Sequence, residues 1–407
     1  MAVDVSQLAS KWEATGSFTL LPDPEPRERR YTIISVDDHL VEPPDLFTGR
    51  LPGAYAERAP KVIEEDGTEL WVFDGERFPN VGFNAVAGRP IEEHSAEPTR
   101  FDQMRRGAWD IHERIRDMDI NGVYASLNFP SFVSGFAGTK FATRNDPDLG
   151  LAVMRAWNDW HIEAWTAPYP DRIIPCQLPW LLDPEIAAEE VRRNAERGFK
   201  AITFPELPEN VGLPSLHSGY WTPFLRACEE TQTPICLHIG SGGMGMTVSS
   251  DSPTEVFSAL FPINSMLAAV EWLFAKIPID FPDIKIVLAE GGIGWVPALM
   301  DRLEHNVKHH RAGAWRGVDI SPTEALLRNF WFCALDDTRG FEQRHHIGVE
   351  NILFEVDYPH ADSTWPDSQE KVTMQLGSAT PEEIRLITHE NASRLFRHPI
   401  DPAWLVE

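Results

Sequence analysis

Residues 173–204 read IIPCQLPWLLDPEIAAEEVRRNAERGFKAITF. Two short apolar runs, Ile173–Leu178 and Ala201–Phe204, flank one helical pattern, PEIAAEEVRRNAERG, which ends on Gly198, a C-cap signal. The same alternation extends outward in both directions. Thr32–Val36 (TIISV) and Val123–Leu127 (VYASL) come earlier. Pro234–Leu237, Lys285–Ala289, Phe330–Cys333 and Ile352–Val356 come later and bring the set to eight. All are short and nearly all apolar, as parallel strands covered on both faces are. Helical patterns lie between most of them. Ile111, Ile115 and Met118 recur at i, i+4, i+7 before the second strand. Near the end, Thr380, Pro381 and Glu383 open a helix with a capping-box arrangement. Eight βα alternations predict an α/β fold, a distorted (β/α)8 barrel.

The spacing is uneven. The gap between the first and second strands is far longer than one helix needs, and within it ELWVFDGERFP reads as a hairpin around Asp74-Gly75. An inserted hairpin or lid subdomain over about residues 41–106 is expected. The organisation predicted is a lead-in segment over 1–30, the barrel over 31–398 and a tail over 399–407. A second long connection, SGGMGMTVSSDSPTE, follows His238. Loops after barrel strands surround the catalytic end, so both insertions are expected to cover the pocket.

Composition excludes several classes. The 407 residues are 43% hydrophobic and 24% charged, which is ordinary globular composition. Lys and Arg number 36 against 62 Asp and Glu, a net charge of −26 that argues against nucleic acid as partner. Cys176, Cys228, Cys236 and Cys333 form no CxxC pair, so buried apolar roles are expected rather than disulfides or a thiolate zinc site. No stretch has the clean apolar length of a membrane span, and the first residues lack a signal-peptide pattern. A soluble cytoplasmic protein is the expectation. Fourteen Trp and 33 Pro suit long, folded loops.

The chemistry is read from polar residues just after the apolar runs. Asp37 and His39 follow the first, His238 the fifth, Glu290 the sixth and Asp357 the eighth. Alone, an Asp there is usually a cap and a His a hydrogen-bonded loop residue. Together at strand ends, two imidazoles and two carboxylates (Asp37, His39, His238, Asp357) make a site for one divalent ion with a position left for water.

Asp37-x-His39 with Glu42-Pro43-Pro44, His238-x-Gly240, Glu290-Gly291-Gly292-x-x-Trp295, Asp357-Tyr358-Pro359-His360 and the terminal ENASRLF together resemble the amidohydrolase-2 group of the amidohydrolase superfamily, the relatives of aminocarboxymuconate-semialdehyde decarboxylase. The resemblance runs from about Ile33 to Arg397. It implies a distorted barrel, one divalent metal, hydrolysis or non-oxidative decarboxylation, and a homodimer. By resemblance, Asp37 and His39 take the first-strand ligand positions, often His-x-His in the family. His238 matches the fifth-strand ligand, and Asp357 the Asp that touches the metal and attacking water. Glu290 departs from the pattern, since decarboxylase relatives usually carry His there.

Four further positions carry expectations. His360 positions substrate or acts as an acid. Trp295 walls the pocket, and Arg302 forms a structural ion pair. Glu42 either hydrogen-bonds a ligating His or caps a turn. The main reading is a hydrolase of an amide, imide, ester or lactone of a small organic acid. Its catalytic residues are Asp357, Glu290 and His360, and its metal is zinc with manganese as alternative. The alternative is a carboxy-lyase of an aromatic or enolic acid. A metal-free binding protein is the reading from another class.

Overall fold

The computed structural model describes residues 18–79, 81–94, 98–131, 133–243, 249, 251–309 and 313–406. Their strands are β1 (Ile34–His39), β2 (Lys61–Glu65), β3 (Thr68–Phe73), β4 (Glu76–Phe78), β5 (Ala125–Phe129), β6 (Ile173–Ile174), β7 (Cys176–Gln177), β8 (Ala201–Thr203), β9 (Ile235–His238), β10 (Ile286–Ala289), β11 (Phe330–Ala334) and β12 (Ile352–Phe354). The main helices are α1 (Ile111–Asn121), α2 (Pro147–Trp160), α3 (Pro184–Arg197), α4 (Thr222–Glu230), α5 (Phe261–Phe274), α6 (Val296–His309), α7 (Pro322–Asn329), α8 (Ser368–Gln375) and α9 (Asn391–Phe396).

Pro175 divides the third apolar run. It has no N–H to give a ladder, and the strand splits there into β6, which pairs with β5, and β7, which pairs with β8. From β7 the sheet continues through β8, β9, β10 and β11 to β12, and on the other side β6 leads through β5 to β1. The ring closes just past β12, where Asp357 N donates to Asp37 O at 2.7 Å and His39 N donates to Tyr358 O at 2.7 Å. Every ladder in the ring is parallel. Counting β6 and β7 as one, the eight expected strands are the eight staves of a distorted (β/α)8 barrel. Buried Val36, Cys236, Val287, Cys333 and Leu353 belong to one apolar cluster of strand residues. The chemistry is left to the C-terminal rim.

The helices obey their local signals. Asp110 caps α1 by accepting from His112 N and Glu113 N, and Gly122 ends it at φ 70°. Asp183 caps α3, and Gly198 ends it at φ 104°. Trp157, Trp165, Trp221 and Trp272 are fully buried, so these tryptophans build the core rather than the loop covering the composition suggested. Each removes roughly 150–250 Å² from water, about 4–6 kcal/mol at the usual area coefficient. The four cysteines are free and buried, as expected.

Between β1 and β5 lies the antiparallel sheet β2–β3–β4. The turn at Asp74 (φ 48°) and Gly75 (φ 82°) is the expected hairpin. Asp66 (φ 51°) and Gly67 (φ 79°) make a second one that the sequence reading passed over, although it carries the same Asp-Gly signal. The insertion reaches the rim, since Ala87 N donates to Pro359 O and Ala361 N to Asn84 Oδ1. The Gly-rich connection after β9 falls partly outside the described residues, as do residues 1–17. Residues 18–30 lie along the surface, tied by Leu21 N to Gly88 O and by Arg27 to Asp367. The C-terminal residues pack back on the barrel, where Asp401 N donates to the Tyr124 hydroxyl and Val406 N to Thr32 Oγ1.

Candidate metal centre

Asp37 and His39 lie inside β1, not after it as the sequence reading places them. The ladder to β5 continues through Asp38 and His39, with an irregularity between Ser35 and Asp38. Residues two apart on a strand share a face, so Asp37 and His39 point the same way. Asp38 goes elsewhere: it accepts from Ser35 Oγ and Tyr358 N, near the buried guanidinium of Arg114. Arg114 also donates to the carbonyl oxygens of Gly107 and His39. His238 is the last residue of β9, and Glu290 is the first after β10. Asp357 comes three residues after β12. Glu290 and Asp357 both adopt left-handed backbone, φ 59° and 57°, which costs a non-glycine residue about 1–2 kcal/mol. Such strain collects at functional sites.

These side chains converge. His39 Nε2 lies 3.5 Å from Asp37 Oδ1, 3.5 Å from Asp357 Oδ1 and 2.9 Å from His238 Nε2. His238 Nε2 lies 3.6 Å from Asp37 Oδ2 and 3.3 Å from Glu290 Oε2. Two groups have ligand atoms all within 4.8 Å of one another: Asp37, His39 and His238, and His39, Asp357 and His360. His39 is common to both. The four expected ligands are thus gathered around His39 rather than packed as one tight set.

Donors are scarce at this point. His238 Nδ1 donates to the Ile239 carbonyl at 2.6 Å, which leaves a lone pair on Nε2 facing the site. Both carboxylate oxygens of Asp37 and of Asp357 are buried without a hydrogen-bond partner among the described residues. A shared proton satisfies one facing pair of acceptors at a time, whereas a cation satisfies them all. The donor set, two imidazole nitrogens with carboxylate oxygens, fits a divalent ion such as zinc or manganese.

The electrostatics agree. Burial, then the charges of Glu355 and Asp357, pushes the Asp37 carboxyl well above its usual range. Burial, then Asp362 and Asp38, does the same to Asp357. Burial holds His238 down to about 3, and His39 well below its usual value. Neutral imidazoles are the ligating form, and buried carboxylates ionise only beside compensating positive charge.

His360 reaches the site. Its Nδ1 lies 3.0 Å from Asp357 Oδ1, and its ring stacks on His39 at 3.9 Å. Trp295 stands beside Glu290 on a cavity of about 540 Å³, lined also by Phe261, Glu355, Asp337 and Asp362. Glu42 meets neither expectation. Its buried carboxylate accepts from Ser131 N, Ser134 Oγ and Trp157 Nε1, and it ties β1 to the segment after β5 and to α2. Arg302 is exposed on α6 and has no ion pair among the described residues, so the structural pairing expected of it is absent there.

Sequence reasoning missed several residues here. Phe136 covers both imidazoles, 5.2 Å from His39 and 4.7 Å from His238. It lies in a loop with no local signal. Glu355 is fully buried within an apolar run and accepts from Glu290 N at 3.1 Å. A charged residue inside a buried strand pattern is the signal that was available. Glu206, three residues past β8, is buried among Gly240, Ser241 and Asn264.

Burial raises the Glu206 carboxyl to about 8, against the amide of Gly240 and the side chain of Asn264. Its ordinary value is 4.5, so the stability it lends is full below that pH and is lost progressively as pH rises towards about 8. Glu206→Gln is expected to flatten the fall of stability over this window and to gain on the wild type above it. Denaturant midpoints at several pH values check this; parallel curves refute it.

A family model described as amidohydrolase matches residues 56–398. Among solved structures, an amidohydrolase from Mycobacterium avium subsp. paratuberculosis K-10 is 22% identical with a TM-score of 0.68, over 90% of this chain and 99% of that one. 5-Carboxyvanillate decarboxylase from Sphingomonas paucimobilis is 19% identical with a TM-score of 0.60, over 90% and 99%. Dihydroxybenzoic acid decarboxylase from Polaromonas sp. JS666, solved with manganese and the inhibitor 2-nitroresorcinol, is 17% identical with a TM-score of 0.60, over 90% and 97%. At these identities the solved structures support the barrel alone. The family match spans most of the chain and includes His238, Glu290, Asp357 and His360, while Asp37 and His39 of β1 precede it. With its closed ring of parallel strands and the Asp, His and Glu residues at their C-terminal ends, this chain belongs to the amidohydrolase family.

Proposed function

We propose that this protein is a metal-dependent carboxy-lyase that removes carbon dioxide from a small aromatic or enolic acid. The observation that carries the reading is the convergence of Asp37, His39, His238 and Asp357, with their acceptor atoms facing one another, at an aromatic-walled end of the barrel. Solved neighbours with manganese bound are decarboxylases of aromatic acids, which supports this reading over the hydrolase first drawn from the sequence. Asp37, His39, His238 and Asp357 would hold a divalent cation, which would supply positive charge to a substrate carboxylate.

The chain's own residues supply the rest. The carbon–carbon bond to the carboxylate breaks, and its electron pair stays on the ring or enol carbon. That carbon needs one proton. Asp357, 3.0 Å from His360 Nδ1, is the group placed to hold and deliver it, and His360 replaces it. Phe136 and Trp295 offer flat apolar walls for a planar substrate and exclude water from the carbanion-like carbon.

Hydrolysis of an amide, imide, ester or lactone is the second reading. What favours it is Glu290, a carboxylate in place of an imidazole, suited to accept a proton from water but not to donate as imidazolium does. One panel decides between them. Aromatic acids, lactones and amides are incubated with the metal-loaded protein, and carbon dioxide and new carboxylate are both measured. Carbon dioxide without new carboxylate is expected; the reverse overturns the lyase in favour of the hydrolase. In the same preparation His238→Ala is expected to lose bound metal, as read by elemental analysis. Full retention would remove His238 from the ligand set.

A further inference from the structure

We propose that Glu290 is itself a ligand of the cation and gives the centre a third carboxylate; this rests on the metal site proposed above. Glu290 Oε2 lies 3.3 Å from His238 Nε2. That nitrogen carries no proton, because Nδ1 of the same neutral ring donates to the Ile239 carbonyl. An ionised Glu290 carboxylate there faces the lone pair of the ring at hydrogen-bonding distance. The separation matches those among the expected ligands, 3.5 Å for His39 with Asp37 and with Asp357, and 3.6 Å for His238 with Asp37. Atoms bound about 2.1 Å from one ion stand roughly 3.0–3.5 Å apart when adjacent in its shell. A second observation points to the same ion, since the buried oxygens of Asp37 and Asp357 make no hydrogen bond among the described residues.

The loop that carries Glu290 is fixed from below. Glu290 N donates to Glu355 Oε2 at 3.1 Å. Asp337 Oδ2 accepts from Ile293 N at 2.5 Å and Gly294 N at 3.0 Å, while its Oδ1 accepts from Gly340 N at 3.0 Å. The backbone wraps closely enough that a Cβ on Gly292, itself at φ +61°, would stand 3.1 Å from Asp337 Oδ2. Two carboxylates that follow β11 and β12 thus hold the loop by its amides. The Glu290 carboxylate is left with no donor from the loop and faces His238.

A shell of two imidazoles and three carboxylates favours a harder ion, manganese over zinc. The test uses full-length protein stripped of metal and titrated separately with Mn²⁺ and Zn²⁺ by calorimetry, with paramagnetic resonance of bound Mn²⁺ as a second readout. Glu290→Gln is expected to weaken Mn²⁺ binding by about tenfold or more, and Zn²⁺ binding less. Glu290→His is expected to restore tight binding and to shift preference towards Zn²⁺. Wild-type affinity of Glu290→Gln for both ions overturns the proposal and leaves the four-residue site standing. A wild type that binds neither ion overturns both. Should Glu290→Gln fail to fold, Glu290→His carries the test, and an unchanged preference overturns the proposal.

Discussion

Asp357→Asn lowers turnover by about 10³-fold or more while the ion stays bound. The side chains are nearly isosteric, and one oxygen remains to face the cation. What is lost is the ability to take up and release a proton. Asp357 is the group best placed for that task, because it touches both His39 and His360 and is wholly buried. Its backbone is set independently of its carboxylate, through Asp357 N to Asp37 O and His360 N to Asp357 O. The substitution therefore tests chemistry rather than fold. His360→Ala serves as the companion. If His360 acts by holding the Asp357 proton, it loses less than Asp357→Asn does and shifts the pH profile. Steady-state rates and elemental analysis on the same samples check the prediction. Turnover near that of the wild type, with metal retained, would leave Asp357 as a ligand only.

How far the sequence reveals this site depends on where each residue's partners come from. The strands are legible because each is a continuous apolar run, and the hairpin at Asp74-Gly75 because its turn chemistry is local. Asp37 and His39 look like the end of β1 to any hydropathy reading, since the run turns polar at Asp37. The backbone ladder takes no account of side-chain polarity and runs on to His39 opposite Phe129. The strand's polar end is the site. Glu42 illustrates the opposite limit. Its partners Ser131, Ser134 and Trp157 are about a hundred residues away, and nothing near Glu42 announces them. Phe136 and Asp337 act through loops whose course only the closed ring determines. Asp337 does cap its own short helix through Gly340 N, as the local pattern suggests, and its other oxygen reaches across to the Glu290 loop.

His39→Ala is expected to abolish metal binding, at a cost beyond the roughly 10–100-fold that outer contacts to a metal site carry. His39 is the residue common to both candidate groups, and its Nε2 faces Asp37, His238 and Asp357, so its loss separates Asp37 and His238 from Asp357 and His360. The rest of the molecule should barely respond. His39 closes the barrel through its backbone, with N–H to Tyr358 O and carbonyl to Arg114, and these survive truncation at Cβ. Some stability is lost with the stacked ring of His360 and the contact with Phe136, on the order of 1–3 kcal/mol for a buried side chain cut to Ala. The apo variant is therefore expected to unfold some degrees below the apo wild type, while added Mn²⁺ or Zn²⁺ raises the midpoint of the wild type alone. The difference follows from linkage, since an ion held at 1,000 times its dissociation constant adds about 4.1 kcal/mol to the folded state. Thermal melts with and without each ion decide the matter. A rise in the variant as large as in the wild type would move the ion away from His39. No rise in either protein would favour the metal-free binding protein over any enzyme built on this rim.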